Sequence, residues 1–107
     1  MSFAKETEKN VNALIQGEFE NAVKRYGEKY SSLHEGYAVL KEEIEEVEVQ
    51  LAYIATALNR LWSGIKIDYR EKVNTCLDDM AEFTFNAIEE LAQVAAVLQK
   101  IEKTLEG

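Results

Sequence analysis

A dense group of glutamates is the feature of this chain most able to do chemistry. Five of the seven residues from Glu42 to Glu48 are glutamates. Carboxylates crowded on one helix repel one another, so such a group is costly unless a cation binds to it. Hard divalent cations such as Mg²⁺ and Mn²⁺ take oxygen ligands of this kind. The glutamates therefore point to a divalent-metal site.

The glutamates lie within a regular apolar pattern that predicts a helix. One seam alternates steps of three and four residues through Tyr37, Leu40, Ile44, Val47, Leu51, Ile54, Leu58 and Leu61. A second seam repeats these steps through Leu77, Met80, Thr84, Ala87, Leu91, Val94, Leu98, Ile101 and Leu105. This periodicity is typical of helices that pack along one face.

The two seams place four oxygen-bearing side chains at equivalent positions. With the first residue of each seam at heptad position a, Glu43 and Glu90 both fall at g. Glu46 and Gln93 both fall at c. In an antiparallel helix pair, g positions meet at the edge of the seam, and residues three apart share a face. We expect these four groups to form one site for Mg²⁺ or Mn²⁺; on spacing alone, the alternative is an acidic, solvated flank.

Three helices are predicted to position these groups. They extend from about Phe3 to Lys29, from Ser32 to about Trp62, and from about Tyr69 to Leu105. Ser32 and Glu35 have the spacing of a capping box at the start of the second helix. Ser63 and Gly64 are expected to end that helix, and Asp68 to cap the third.

The helices predict an all-α single domain spanning residues 1–107. The chain has no proline, and its composition, 47% apolar and 30% charged, suits long amphipathic helices. A short connection makes the second and third helices antiparallel neighbours, and their broad apolar faces favour a bundle with a four-helix core. One chain supplies three helices. Self-association as a homodimer or homotetramer is expected to complete the core.

Composition also excludes some classes of function. A net charge of −8 argues against binding to nucleic acid polymers, which needs a surplus of lysine and arginine. No apolar run is long enough for a membrane span, and no apolar signal core follows Met1, so we expect a cytoplasmic protein. Cys76 is the only cysteine and is expected to be a small packing residue.

Two stretches of the chain, together about a fifth of it, resemble a known family. They are His34-Glu35-Gly36-Tyr37-Ala38-Val39-Leu40-Lys41-Glu42-Glu43-Ile44-Glu45-Glu46 and Glu89-Glu90-Leu91-Ala92-Gln93-Val94-Ala95-Ala96. These stretches resemble the MazG-like all-α nucleotide pyrophosphohydrolases, in particular small versions found in phages and bacteria. The family pattern is Glu-Glu-x-x-Glu on one helix and Glu-x-x-Asp on the next. Glu42, Glu43, Glu46 and Glu90 match it, whereas Gln93 stands at the aspartate position.

The resemblance implies a Mg²⁺-dependent hydrolase that converts nucleoside triphosphates to monophosphates and pyrophosphate, as housecleaning of the nucleotide pool. Glu43, Glu46 and Glu90 would hold the metal, and Gln93 would add an uncharged amide oxygen. Glu42 or another nearby carboxylate would orient the attacking water. Two alternatives remain open: a non-enzymatic helical interaction or regulatory module, and a degenerate member that binds nucleotide without turnover.

Other residues near these stretches have weaker functional interpretations. Lys41 is a candidate ligand of a phosphate oxygen, or else an ordinary helical partner of Glu45. His34 is a candidate acid–base group, but it lies in the first turn of the second helix, where a lone histidine is usually structural. The rings of Tyr37 and Trp62 have faces that can stack on a base, but their positions near the seam favour packing in the core.

Overall fold

The computed structural model describes residues 4–107, and the described chain contains three helices and no strand. Helix α1 spans Lys5–Tyr26, α2 spans Leu33–Lys66 and α3 spans Arg70–Leu105. The all-α prediction is confirmed. The predicted start of the first helix at Phe3 lies outside the described residues. None of the described helices has the length and apolar composition needed to cross a bilayer.

The start of α2 is fixed by the predicted cap, with one difference. Ser32 Oγ accepts a hydrogen bond from the Glu35 backbone N–H at 3.1 Å, which satisfies a donor that the first turn leaves open. The Glu35 carboxylate accepts from the Ser31 N–H at 3.0 Å, one residue before the partner in a standard capping box. The side-chain cap therefore extends over the last two loop residues.

The predicted end of α2 at Ser63 and Gly64 is wrong, because the helix continues to Lys66. Ser63 Oγ donates to the carbonyl of Asn59 at 3.1 Å, a bond that keeps the serine within the helix. Gly64 is buried, and a Cβ there would lie 3.3 Å from the Lys72 side chain. The glycine thus serves close packing of two helices and does not interrupt the chain.

Helix α2 ends in a Schellman motif that uses Asp68. The Tyr69 N–H donates to the Gly64 carbonyl at 2.9 Å, and the Asp68 N–H donates to the Ile65 carbonyl at 3.1 Å. Asp68 takes the left-handed conformation with φ 53°. Its carboxylate accepts from Arg70 Nε at 2.9 Å. The prediction that Asp68 caps α3 is wrong, because this residue belongs to the C-terminal motif of α2.

The packed face of each long helix differs from the predicted seam. The buried and half-buried positions that follow the three-and-four rhythm on α2 are Gly36, Leu40, Glu43, Val47, Gln50, Ile54, Ala57, Leu61 and Gly64. On α3 they are Val73, Cys76, Met80, Phe83, Ala87, Glu90, Val94, Val97, Ile101 and Thr104. These are heptad positions d and g, whereas a and d were predicted. Both pairs of positions have the same alternating steps, so periodicity alone does not separate them.

Small side chains explain why position g faces inward. Gly36, Ala57 and Cys76 are all g residues, and they let two backbones approach closely. The a residues then face outward: Tyr37 is 66% exposed and Leu51 is 53% exposed. The prediction that Tyr37 and Trp62 pack in a core is therefore wrong for the single chain, whereas Cys76 is buried as expected.

The chain divides into two compact units, and the division passes through α2 and α3. Glu45–Glu90 forms the hairpin unit. Within it Arg60 pairs with Asp79 at 3.0 Å, and the rings of Tyr53 and Phe83 lie 5.2 Å apart. Tyr53 precedes Arg60 on α2, whereas its partner Phe83 follows Asp79 on α3. The two helix segments of this unit are therefore antiparallel.

Met1–Ile44 and Leu91–Gly107 form the three-helix unit, which contains α1, the start of α2 and the end of α3. The Tyr30 N–H, in the loop after α1, donates to Thr104 Oγ1 at 2.8 Å. Gly36 is buried against the same region, since a Cβ there would lie 2.9 Å from Ile101 Cγ1 and 3.2 Å from the Tyr30 ring. These contacts fix the loop onto α3.

Candidate functional site

Three of the four predicted metal ligands lie close together. One carboxylate oxygen from each of Glu43, Glu46 and Glu90 lies within 4.8 Å of the other two. Glu43 and Glu46 are one turn apart on α2, and Glu90 is on α3. We call these three residues the carboxylate cluster. It joins two segments of the chain that are more than forty residues apart in sequence.

The burial of the carboxylate cluster is uneven. Glu46 is exposed, whereas Glu43 and Glu90 are half-buried. The Oε2 atoms of Glu43 and Glu90 are screened from solvent. Glu43 and Glu90 are half-buried because position g faces inward on α2 and α3. The predicted register had placed both residues at the edge of the seam. A cation here would meet carboxylates already partly removed from water, where electrostatic attraction is stronger.

The spacing of the carboxylate cluster suits a small divalent cation. Metal–oxygen distances near 2.1 Å for Mg²⁺ and up to 2.6 Å for Ca²⁺ put opposite ligand oxygens about 4.2 to 5.2 Å apart. The three oxygens lie within 4.8 Å of one another, so small side-chain adjustments bring them to coordination distance. Three carboxylates also supply the hard oxygen donors that Mg²⁺ and Mn²⁺ prefer.

A cavity of about 660 Å³ opens in the three-helix unit. Glu43 lines it, and so does the half-buried Gln93, the fourth predicted ligand. Tyr26 and Tyr30 supply aromatic surface from the end of α1 and the loop after it. The volume is in the range of small-molecule sites. The cavity therefore combines apolar rings with oxygen ligands from the predicted metal site.

Tyr30 connects the acidic and the cationic parts of this cavity. Burial raises the pKa of its phenol above the usual 10.0, and the nearby carboxylates of Glu43 and Glu35 raise it further. The phenol thus stays protonated and able to donate a hydrogen bond at neutral pH. On its ring face, the Lys100 ammonium lies 4.3 Å from the ring centroid.

Lys100 is a cavity residue that the sequence reasoning missed. It is only 5% exposed, which is unusual for a lysine. Its ammonium also lies 5.9 Å from the Tyr26 ring centroid, and its carbonyl accepts from Thr104 Oγ1 at 2.9 Å. A signal was present in the sequence, because Lys100 follows Gln93 by one heptad and therefore shares its position c.

Glu42 and Lys41 are both exposed and neither lines the cavity. At 100° per residue, each lies about 130° around α2 from the centre of its packed face, whereas Glu46 lies about 70° away. His34 is exposed in the first turn of α2. The residues that the structure brings together are thus Glu43, Glu46 and Glu90.

No family model, curated protein or solved structure matches this chain in comparisons with known proteins.

Proposed function

We propose that this protein is a Mg²⁺-dependent nucleotide pyrophosphohydrolase that cleaves nucleoside triphosphates to monophosphates and pyrophosphate. The observation that carries the proposal is the convergence of Glu43 and Glu46 with Glu90. These are the residues that match the MazG-like pattern, and the pattern gives them the role of metal ligands. Their oxygens have the number, chemistry and spacing that a Mg²⁺ or Mn²⁺ ion requires.

Each member of the proposed site has a role that its position allows. Glu43, Glu46 and Glu90 would hold the cation, and Gln93, which lines the same cavity as Glu43, would offer an amide oxygen. A bound Mg²⁺ would supply charge neutralisation of the triphosphate and polarisation of the reacting phosphate. The cavity that Glu43 lines accommodates the part of the substrate that extends away from the metal, and Tyr30 donates a hydrogen bond to a substrate oxygen.

The roles proposed for Glu42 and Lys41 follow from the resemblance alone. Both residues face away from the packed face of α2 in the single chain, so contact with substrate needs a rearranged side chain or a second copy. Glu42→Gln tests whether Glu42 takes part in the reaction, because a residue that orients water affects turnover without affecting metal binding. We expect normal metal binding in this variant, and reduced turnover if Glu42 has the proposed role.

A second copy of the chain is the partner that the exposed apolar surface fits best. Large apolar residues at position a are exposed on both long helices: Tyr37, Ile44, Leu51 and Leu58 on α2, and Leu77, Leu91, Leu98 and Leu105 on α3. Contiguous exposed apolar surface of this kind marks a site of protein–protein contact. We propose a homodimer or homotetramer with a four-helix core, acting in the cytoplasm.

Pyrophosphate release from a panel of canonical and damaged deoxynucleoside triphosphates in Mg²⁺ tests the proposal. We expect release by the wild type and a loss of at least about a hundredfold in Glu43→Gln and Glu90→Gln, since each removes a charged ligand. Glu89→Gln is the matched control, because Glu89 is the exposed neighbour of Glu90. Its activity should match the wild type.

Metal-dependent thermal stabilisation, measured together with pyrophosphate release, separates the two alternatives. A degenerate member binds Mg²⁺ and nucleotide but releases no pyrophosphate. A helical interaction module shows neither metal-dependent stabilisation nor release. Either result contradicts the hydrolase proposal, and a Glu89→Gln loss equal to that of Glu90→Gln contradicts the assignment of the ligands.

A further inference from the structure

Lys100 carries a charge into the cavity of the three-helix unit. The residue is 5% exposed, and its ammonium lies against the Tyr30 and Tyr26 rings at 4.3 and 5.9 Å from their centroids. The rings compensate part of the lost hydration by cation–π attraction. An anion that enters the cavity would gain strongly from this desolvated charge.

Two further cations line the same cavity. Arg25, at the end of α1, and Lys29, in the loop that follows it, are both exposed. Both have long side chains that can reach a ligand while keeping contact with water. Lys100 thus provides a buried cationic contact, and the end of α1 and the loop after it provide two flexible ones. This arrangement suits an anion with several charges.

The cavity also has an acidic side. Its lining carboxylates are Glu18, Glu35 and Glu43. Glu35 already accepts a hydrogen bond from Ser31, and Glu43 belongs to the carboxylate cluster. Gln93 and Lys100 both line the cavity from α3, and their backbone positions are seven residues apart, about 10.5 Å along the helix axis. The cavity is therefore longer than a single phosphate group.

We propose that the cavity is a polyphosphate-binding site centred on Lys100, with Arg25 and Lys29 as outer contacts, and that it binds its anion without a metal ion. The ligand's identity as a nucleotide triphosphate rests on the proposed function, whereas anion binding by Lys100 does not. The phosphate chain contacts Lys100, and its outer oxygens contact Arg25 and Lys29. Helix α1 therefore contributes to substrate binding as well as to the fold.

Calorimetric titration with inorganic tripolyphosphate, in EDTA and at low ionic strength, tests this site. We expect the wild type to bind, and Lys100→Met to weaken binding at least about tenfold, as expected for loss of a hydrogen bond to a charged group. Lys29→Met should weaken it a few-fold, because Lys29 is exposed and its charge is screened. Absence of binding to the wild type, or unchanged affinity in Lys100→Met, overturns the proposal.

Lys66→Met is the matched control. The Lys66 ammonium lies 5.8 Å from the Trp62 ring centroid, but Lys66 is exposed, belongs to the hairpin unit and does not line the cavity. We expect its affinity for tripolyphosphate to equal that of the wild type. An equal loss in Lys66→Met and Lys100→Met would show a general effect of net charge and refute the site.

Thermal unfolding without ligand distinguishes binding from a structural role. Replacing a buried charge by an apolar side chain of similar length is neutral or stabilising, so Lys100→Met should melt at or above the wild-type temperature. A lower melting temperature with unchanged affinity assigns Lys100 to structure and overturns the proposal. If Lys100→Met does not fold, unchanged affinity in Lys29→Met overturns it. Intact tripolyphosphate binding without Mg²⁺-dependent pyrophosphate release refutes the proposed function alone.

Discussion

Removing one carboxylate from the cluster should change stability in opposite directions with and without metal. Without a cation, the clustered carboxylates of Glu43, Glu46 and Glu90 repel one another, so Glu90→Gln should stabilise the fold. In Mg²⁺, the wild type gains stability from ligand binding to the folded state, whereas the variant lacks a ligand and gains little. A purely structural glutamate would not produce this reversal.

The size of the effect follows from the spacing of the carboxylates. At 4.8 Å, the upper limit of the separations among the three oxygens, two unit charges repel by about 0.9 kcal/mol in a water-like dielectric and about 3.5 kcal/mol at an effective dielectric of 20. Glu90 contributes to two such pairs. Because Glu46 is exposed, we expect a net stabilisation toward the lower end, about 1–3 kcal/mol. For a chain of this size, that raises the melting temperature by at least about 4 °C.

Circular dichroism melts of the wild type, Glu90→Gln and Glu89→Gln, each in EDTA and in Mg²⁺, measure both effects. Glu89→Gln should behave as the wild type in both buffers, because Glu89 is exposed and outside the carboxylate cluster. Destabilisation of Glu90→Gln in EDTA, together with an undiminished Mg²⁺ shift, would refute the reasoning. It would mean that Glu90 supports the fold and does not bind metal.

Further predictions concern the fold and its surface. Gly36→Ala should destabilise by about 1–3 kcal/mol through its contacts with neighbouring side chains. Gly17→Ala, which meets nothing within 4 Å on α1, should stabilise by about 0.5–1 kcal/mol; urea unfolding measures both. Asp68→Gly should raise the melting temperature, because glycine takes the left-handed conformation without the cost of about 1–2 kcal/mol that a Cβ brings. Because the pKa of Tyr30 is raised when folded, its contribution to stability is complete below pH 10.0 and is lost as pH rises through the raised pKa. Tyr30→Phe should therefore flatten the alkaline fall in the free energy of unfolding. Leu51→Glu, on the exposed α2 face, should convert a homo-oligomer to a monomer in light scattering without unfolding it.

The sequence predicted the helices well because their signals are local. The capping residues predicted where α2 begins, the long periodic stretches predicted both α2 and α3, and the absence of proline allowed long helices. The predicted packed face of the two long helices was wrong because the pair of positions a and d repeats with the same steps as the pair d and g. The size of the side chains determines which pair packs within the chain. Gly64 and Ala57, at position g, allow close backbone contact, whereas the larger residues at position a do not. Hydrophobicity ranks Leu51 above Ala57 and so favours the wrong face.

The carboxylate cluster was predictable because a rigid helix fixes the relation between Glu43 and Glu46, and equivalent registers relate these to Glu90. The cavity was less predictable. Its surface depends on how α1 and its loop pack in the three-helix unit, which is a long-range contact without a local signal. Lys100 was also hard to predict as a cavity residue, because lysines are usually exposed. Its heptad position c, shared with Gln93, was the one indication that it lies on the same face of α3 as Gln93.

Anomalous diffraction from crystals of the protein soaked in Mn²⁺ tests the central claim most directly, because it locates the cation relative to named oxygens. We predict an anomalous peak within coordination distance of carboxylate oxygens from Glu43, Glu46 and Glu90, and no such peak in crystals of Glu90→Gln. A well-ordered carboxylate cluster with no peak beside it, or Mn²⁺ bound only at other carboxylates, would contradict the claim.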